Sequence, residues 1–510
     1  MENLQSNYKK LLEKAKDLAV FQSIEGVIGW DAVTMMPPKG IALRSQQFGL
    51  LESIKHQMST NIELGRLLEN VMHASDYSGL GEVQKRNVYL LKKRCDEQTA
   101  LPNELVAEMA KQSALTVDIW KKAKATKDYA MLKSDLGKLL DLEKKAAEVL
   151  MKVKNTATPY DALIDMYEPG MTAQAISGIF NELREGLVPL IERCQNAPNQ
   201  PDTKVLKRRV PIDHQRKLAQ ALAEFVHYDA TSKESGGRID ETEHPFTVGY
   251  YDDVRITTHY YEEGYTSSIF GVLHEAGHAL YEQNLPRDWM YQPVGSACSS
   301  GFHESQSRFV ENIIGRSAEF WTSFYPKLRE ATGSALAEVS KEEFVHAINL
   351  VNPSKIRVGA DEVTYGLHII IRFEVERDLF ADKITVDELP EIWNQRYKDY
   401  LGLEIEHDSE GVMQDVHWAG GRYGSFLCYA LGNIYGGQML ATMERSLTDW
   451  RGQLMNGRFD EILNWLTRNV YAYGNLYDPA DLIKKIAGTE LSIKPFLSYL
   501  NQKYSSLYEY

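Results

Sequence analysis

The chain has 510 residues, 43% hydrophobic and 25% charged, a balance that excludes disorder and supplies apolar surface for a large core. Its net charge of −14, with no block of Lys and Arg interleaved with aromatics, argues against nucleic acid as a partner. No run reaches the roughly 18 consecutive apolar residues of a membrane span, so no membrane association is expected either. The polar start from Met1 to Lys10 lacks the apolar core of a secretory signal. Cys95, Cys194, Cys298 and Cys428 stand too far apart for a zinc knuckle or a redox pair, which fits a reducing, cytoplasmic setting.

From Met1 to about Lys154 apolar residues recur at helical spacing, as in Leu4, Tyr8, Leu11, Ala15 and Leu18, and predict long antiparallel helices. The segment from Trp30 to Gly40 reads as a loop and helix start, either a packed connector or a cleft edge. A Pro- and Asn-rich turn covers Asn196 to Asp202, and helical spacing returns through Phe225. Residues 236–262 turn β-branched and aromatic, which predicts a small antiparallel sheet. Helical patterns resume over 266–310 and again over 318–510, with Gly-rich exceptions near Gly411 and Gly420-Gly421. With no internal repeat and no low-complexity linker, residues 1–510 are expected to form one large, mainly α-helical domain.

Residues 274–278 read His-Glu-Ala-Gly-His. On a helix, His274 and His278 project from one face one turn apart, the spacing with which two imidazoles grip one metal ion. Glu275 then reaches a water on the same ion, the arrangement of metal-assisted hydrolysis. A helix is expected here, with N-caps among Thr266, Ser267 and Ser268 and a stop at Pro286. Gly277 between the ligands weakens the helix, so a small residue there points to close approach by a neighbouring segment. A catalytic site takes three protein ligands. The helical run from Gly301 offers Glu304 or His303; adjacent on a helix they point about 100° apart, so one of the two faces the metal. The residues alone favour Glu304 only slightly.

Five segments together resemble the M32 family of metallocarboxypeptidases, the thermostable carboxypeptidase 1 type, over essentially the full length. They are Asp253–Thr257 (Asp-Val-Arg-Ile-Thr), His274–His278, His303–Gln306 (His-Glu-Ser-Gln), Ile356–Asp361 (Ile-Arg-Val-Gly-Ala-Asp) and Gly411–Trp418 (Gly-Val-Met-Gln-Asp-Val-His-Trp). The resemblance implies that His274, His278 and Glu304 bind the metal, that Glu275 is the catalytic carboxylate, and that His303 is not a ligand. It also implies a mainly helical fold with a deep groove, related in shape to neurolysin and angiotensin-converting enzyme, and a homodimer.

A carboxypeptidase must recognise a free chain end, which a guanidinium does bidentately. Arg255 and Arg357 are the candidates, the resemblance favouring Arg357; the plain alternative is an ion pair with Asp253 or Asp361. His417 and Tyr423 are candidate donors to the oxyanion, the alternative being a buried structural His and a core Tyr. His244 and Tyr365 are possible cleft lining. The expected reaction releases single C-terminal residues from peptides, with zinc, or cobalt or manganese, as the ion. An oligopeptidase or dipeptidyl carboxypeptidase is the alternative, and a non-catalytic helical metal-binding scaffold a more distant one.

Overall fold

Long helices dominate the first part of the chain because its apolar residues recur every three or four positions with few glycines or prolines between them. In the computed structural model, which describes residues 4–510, these are α1 (Leu4–Thr34), α2 (Ile41–Ser59), α3 (Ile62–Met72), α4 (Glu82–Ala100), α5 (Asn103–Thr126) and α6 (Ala130–Lys154). Met1, Glu2 and Asn3, at which the N-terminal helical part was expected to begin, lie outside the described residues. The segment from Trp30 to Gly40 does hold the expected loop and helix start, at 35–37 and at the single turn Pro38–Gly40 that leads into α2, but the loop is shorter than expected, since α1 runs on to Thr34 and carries Trp30 as a buried helical residue. Leu4, Tyr8 and Leu11 of α1 meet Leu64, Leu68 and Val71 of α3 and Val88 and Leu91 of α4 in a small hydrophobic cluster of their own. Arg86 and Asn87 of α4 tie it to the rest through Asp478 (2.7 Å) and Gln292 (2.7 Å).

The middle of the chain supplies α7 (Pro159–Ile164), α8 (Ala173–Asn196) and α9 (Ile212–Phe225), then β1 (Gly237–Glu241), β2 (Thr247–Tyr250) and β3 (Asp253–Thr258). The sheet lies where the sequence places it but is mixed rather than antiparallel. Its order is β1-β3-β2, with β2 antiparallel and β1 parallel to β3. A tight turn through Tyr251, at φ 52°, closes the β2–β3 hairpin. The connection from β1 to β2 contains Pro245, which has no N–H to pair, and is long enough to leave room for β3 between them.

The helices that follow are α10 (Tyr265–Gln283), α11 (Ser300–Arg308), α12 (Ala318–Thr332), α13 (Lys341–Ile348), α14 (Tyr365–Phe380), α15 (Leu389–Leu401), α16 (Leu427–Ser446), α17 (Trp450–Met455), α18 (Asp460–Asn469), α19 (Pro479–Ala487) and α20 (Lys494–Tyr508). Helices α14 and α16 are buried almost all round, as central helices of a large core should be. No helix among the described residues is long and apolar enough to cross a membrane. All four cysteines are buried free thiols.

One buried carboxyl tests the core's electrostatics. Glu143 of α6 is 8% exposed and packs against the Gly421 backbone; burial pushes its carboxyl up to about 7. In the unfolded chain it ionises at its ordinary value, roughly 4.3. Between those two pH values the fold keeps a proton the unfolded chain has lost, so stability falls as pH rises through that window and the full cost stands above pH 7. Glu143→Gln is therefore expected to stabilise the protein at pH 8 by up to roughly 3 kcal/mol and to be neutral below about pH 4. Unfolding midpoints of both proteins across that range check it; a gain independent of pH would refute the titration argument.

Candidate active site

Helix α10 places His274 and His278 one turn apart on the face that meets α11. It starts a turn earlier than its hydroxyl residues suggest. Gly264 is the N-cap, and Ser268, instead of capping, donates to Tyr265 O (2.9 Å) and Gln215 Oε1 (3.0 Å) inside the helix. The helix ends at Gln283, with Pro286 just beyond, as the sequence predicts. Helix α11 has Ser299 as N-cap, its Oγ accepting from Phe302 N at 3.0 Å. The buried Glu168 holds the same end, accepting from Gly301 N (3.0 Å), Ser299 Oγ (3.1 Å) and, from α16, Tyr435 Oη (2.8 Å).

Two glycines let α11 come close enough to complete a ligand set. A Cβ on Gly277 would lie 2.5 Å from Gln306 O and 2.6 Å from Ser307 Cα, and one on Gly432 of α16 would lie 2.8 Å from Glu304 Cγ. Helix α11 is thus clasped between α10 and α16 with no space for a methyl group on either side. The result is a cluster of His274, His278 and Glu304 whose ligand atoms lie within 4.8 Å of one another. Glu304 Oε2 is 3.5 Å from His278 Nε2 and 3.9 Å from His274 Nε2.

The donor set fits a divalent cation. His274 Nδ1 is bonded to Glu311 (2.8 Å) and His278 Nδ1 to His303 Nδ1 (2.5 Å), which in turn bonds Glu282 through Nε2 (2.8 Å). Both ligand rings are therefore oriented from behind and present Nε2 to Glu304, the outer-shell arrangement that fixes a metal-binding tautomer. Glu311 lies in a π-helical continuation of α11, Phe309–Ile314, whose wider turn occurs at this functional position. Arg308 spans Glu304 (2.7 Å) and Glu311 (3.3 Å). Burial opposes ionisation of Glu304, yet Arg308 and His274 outweigh it and hold the carboxyl well below its usual range. For His274, burial is likewise outweighed by Glu304 and Glu311, which raise it to about 9. The site is thus built for positive charge.

Glu275 is buried on the same helix but is not part of the ligand set; Thr247 Oγ1 on β2 donates to its carboxylate at 2.6 Å. Burial pushes the Glu275 carboxyl up, with His274 and Thr247 working against that rise. A cavity of about 690 Å³ reaches the cluster, with His278, His303 and Glu304 on its wall together with His417, Arg422, Ser425 and Tyr429. His417 Nδ1 and Ser425 Oγ are buried atoms without a hydrogen-bond partner. Burial takes His417 down to about 4, against the pull of Asp415, so its ring is neutral near pH 7.

The model of the Carboxypeptidase Taq (M32) metallopeptidase family matches residues 10–504. The chain belongs to that family. It is 39% identical to thermostable carboxypeptidase 1 of Thermus thermophilus, over 98% of this chain and 99% of the relative, and 37% identical to carboxypeptidase 1 of Bacillus subtilis, over 98% of each. The crystal structure of the M32 carboxypeptidase from Deinococcus radiodurans R1 superposes with a TM-score of 0.95 at 35% identity, covering 99% of this chain and 100% of that one. The protein is accordingly a metal-dependent carboxypeptidase, and an M32 metallopeptidase implies a divalent metal.

Within this M32 chain the other expected site residues divide. Arg255 turns away from the reaction centre. Opposite Val248 in the β2–β3 register, it lies on the sheet face away from Thr247, pairs bidentately with Asp253 (2.7 and 2.8 Å) and stacks 4.5 Å over Trp30. A carboxylate already fills its fork, so the ion-pair alternative describes it. Tyr423 is likewise a core tyrosine, 3% exposed, with its ring against Phe380 and off the cavity wall. The tight turn through Gly421, at φ 71°, and Gly424, at φ 79°, faces Arg422 and Ser425 to the cavity and Tyr423 inward.

Arg357 is buried behind the wall. Its Nε and Nη2 meet Asp415 (3.2 and 2.9 Å), not the Asp361 expected from spacing, and its Nη1 donates to Tyr365 (3.0 Å). Asp361 instead accepts from the backbone of Asn352, Val363 and Thr364. Arg372 also pairs with Asp415 (2.6 Å), so two guanidiniums share one carboxylate. Arg357 lies 5.3 Å over the ring of Tyr429, which is on the wall. Of the two cleft candidates, His244 is exposed on the β1–β2 connection, while Tyr365 sits between Arg357 and Arg308, 4.3 Å from the latter. The residues that sequence reasoning missed are Thr247, Glu282, Arg308, Glu311 and Tyr429. Arg308 and Glu311 follow Glu304 at helical spacing, a signal the sequence carries; Thr247 and Tyr429 carry none.

Proposed function

We propose that the protein releases single C-terminal residues from peptides, with His274, His278 and Glu304 holding the metal and Glu275 acting as general base. The observation that carries this reading is the three-ligand cluster with the buried, Thr247-held carboxylate of Glu275 beside it in the helix. When bound, a divalent cation there supplies Lewis acidity, lowering the pKa of a water and polarising a carbonyl. Glu275 takes the proton of the attacking water and returns it to the leaving amine. His417, neutral and with a free ring nitrogen, donates to the developing oxyanion. Arg357 anchors the terminal carboxylate; the support is the one uncompensated positive charge of the Arg357–Asp415–Arg372 group behind Tyr429 and His417.

Zinc is the ion proposed, since two His and one Glu suit it, with cobalt and manganese accepted by the same donors. A homodimer and a cytoplasmic location complete the reading, the first on family resemblance and the second on four buried free thiols. Incubating the metal-loaded enzyme with a linear peptide and its C-terminal amide tests it by mass spectrometry. Stepwise loss of single residues from the free acid alone, abolished by a chelator and restored by zinc, is expected. Internal cuts in both peptides would replace the reading with an oligopeptidase.

A further inference from the structure

His417 stands on the cavity wall with no hydrogen bond to orient its ring. Its Nδ1 has no partner, and the imidazole rests tilted against Phe426, the ring centres 4.4 Å apart. An imidazole at a reaction centre is ordinarily kept in place by a bond on the nitrogen that faces away from it, so here that task falls to the backbone. The segment from Val416 to Gly424 is a run of tight turns, in which Arg422 N donates to His417 O (2.9 Å) and Gly421 and Gly424 take positive φ. Among the described residues, one side chain from outside this segment hydrogen-bonds it.

That side chain is Glu376, fully buried on α14. Its Oε1 accepts from Trp418 Nε1 (2.7 Å), and its Oε2 accepts from Gly424 N (2.8 Å) and from Tyr160 Oη of α7 (2.8 Å). Trp418 directly follows His417 and Gly424 directly precedes Ser425, so one carboxylate grips the segment at both ends while α7 fixes the carboxylate. Glu376 joins no ion pair among the described residues, and burial pushes its carboxyl up to about 7 against the pull of the three donors. An unpaired carboxyl in a core is costly, and an apolar side chain would fill the space without that cost. Three donors converging on two oxygens require the acceptor that only a carboxylate supplies.

We propose that Glu376 is a positioning residue for the reaction, holding the His417 segment by both ends so that the imidazole keeps its place at the developing oxyanion. The inference rests on the role given to His417 in the carboxypeptidase reading. Glu376 itself acts at one remove, through Trp418 and Gly424. Two substitutions each take one donor from the same carboxylate: Trp418→Phe releases the His417 segment, whereas Tyr160→Phe releases only α7. Glu376→Gln puts an amide N–H where an acceptor is needed.

Steady-state cleavage of a free-acid peptide by the metal-loaded variants, with their thermal midpoints, is the test. Trp418→Phe and Glu376→Gln are expected to lower kcat by about 10–100-fold and to leave KM nearly unchanged, part of the 10²–10³ that an oxyanion donor is worth. Tyr160→Phe should lower the thermal midpoint and keep kcat near that of the wild type. In a His417→Ala background both Trp418→Phe and Glu376→Gln should cost nothing further in kcat, because the group they displace is gone. Equal kcat losses in Trp418→Phe and Tyr160→Phe would overturn the proposal, as would losses that persist in full on top of His417→Ala, since either marks a general support of the fold. Should Glu376→Gln fail to fold, the Trp418 and Tyr160 variants and the Trp418→Phe/His417→Ala cycle carry the same decision. Wild-type kcat in His417→Ala alone would remove His417 from the mechanism and take this proposal with it, a failure of the underlying reading that is visible before any change at Glu376.

Discussion

Replacing Glu275 by Gln is expected to leave the metal in place and remove about 10²–10⁴ of turnover, the range that a positioned general base contributes. Glu275 is not among the three residues whose ligand atoms converge, so the substitution takes nothing from the metal. The side-chain oxygen that accepts from Thr247 at 2.6 Å exists in Gln as well, so the fold around it is preserved. What disappears is the ability to accept a proton from water. Metal content of the purified variant, measured beside single-turnover cleavage of a free-acid peptide, decides the matter. A metal-loaded variant with wild-type turnover would remove Glu275 from the mechanism; loss of metal would mean that it is a ligand.

Gly277→Ala is expected to be the most damaging single-methyl addition in the molecule's reaction centre. The new Cβ meets Gln306 O and Ser307 Cα at 2.5 and 2.6 Å, and both are backbone atoms that no rotamer change can move. Helices α10 and α11 must separate, and Glu304, three residues before Ser307, leaves His274 and His278. Overpacking of this kind costs about 1–3 kcal/mol, against roughly 1 kcal/mol gained from helix propensity, so the thermal midpoint falls modestly. Metal affinity suffers more, by about tenfold or beyond, as for a displaced supporting group. Gly65→Ala on α3, where a Cβ meets nothing within 4 Å, is the control and should stabilise slightly. Competitive chelation and thermal unfolding of the two variants report both quantities. Undiminished metal affinity in Gly277→Ala would show that the helix contact does not position Glu304.

Gly277 also illustrates where local sequence and tertiary structure meet. A glycine between two ligands in a helix is costly without a contact to justify it, and that contact is the backbone of α11. The stop of α10 was equally legible, since Pro286 cannot continue a helix; its start was not. Thr266, Ser267 and Ser268 are all able N-caps, but Ser268 finds Gln215 on α9, and burial of Tyr265 in the core extends the helix past them. The sheet's location was marked by β-branched and aromatic residues, whereas its strand order was not, because pairing depends on which edge is free when the strands assemble.

What the sequence by itself determined is the chemistry: two imidazoles at a four-residue interval, an adjoining carboxylate, and a mostly helical chain long enough to bury them. These follow from periodicity and residue type, which are local properties. Only the tertiary structure decided what surrounds each arginine and which tyrosine lines the cavity. Arg255 and Arg357 each lie near a carboxylate in the sequence, but strand register turns Arg255 toward Trp30, and α14 brings Arg372 to share Asp415 with Arg357. Tyr423 and Tyr429 are six residues apart, yet a turn of left-handed glycines sends the first into the core and the start of α16 sets the second on the cavity wall. Side-chain direction across a turn depends on backbone dihedrals and on the partners that long-range packing supplies, and neither is encoded in spacing alone.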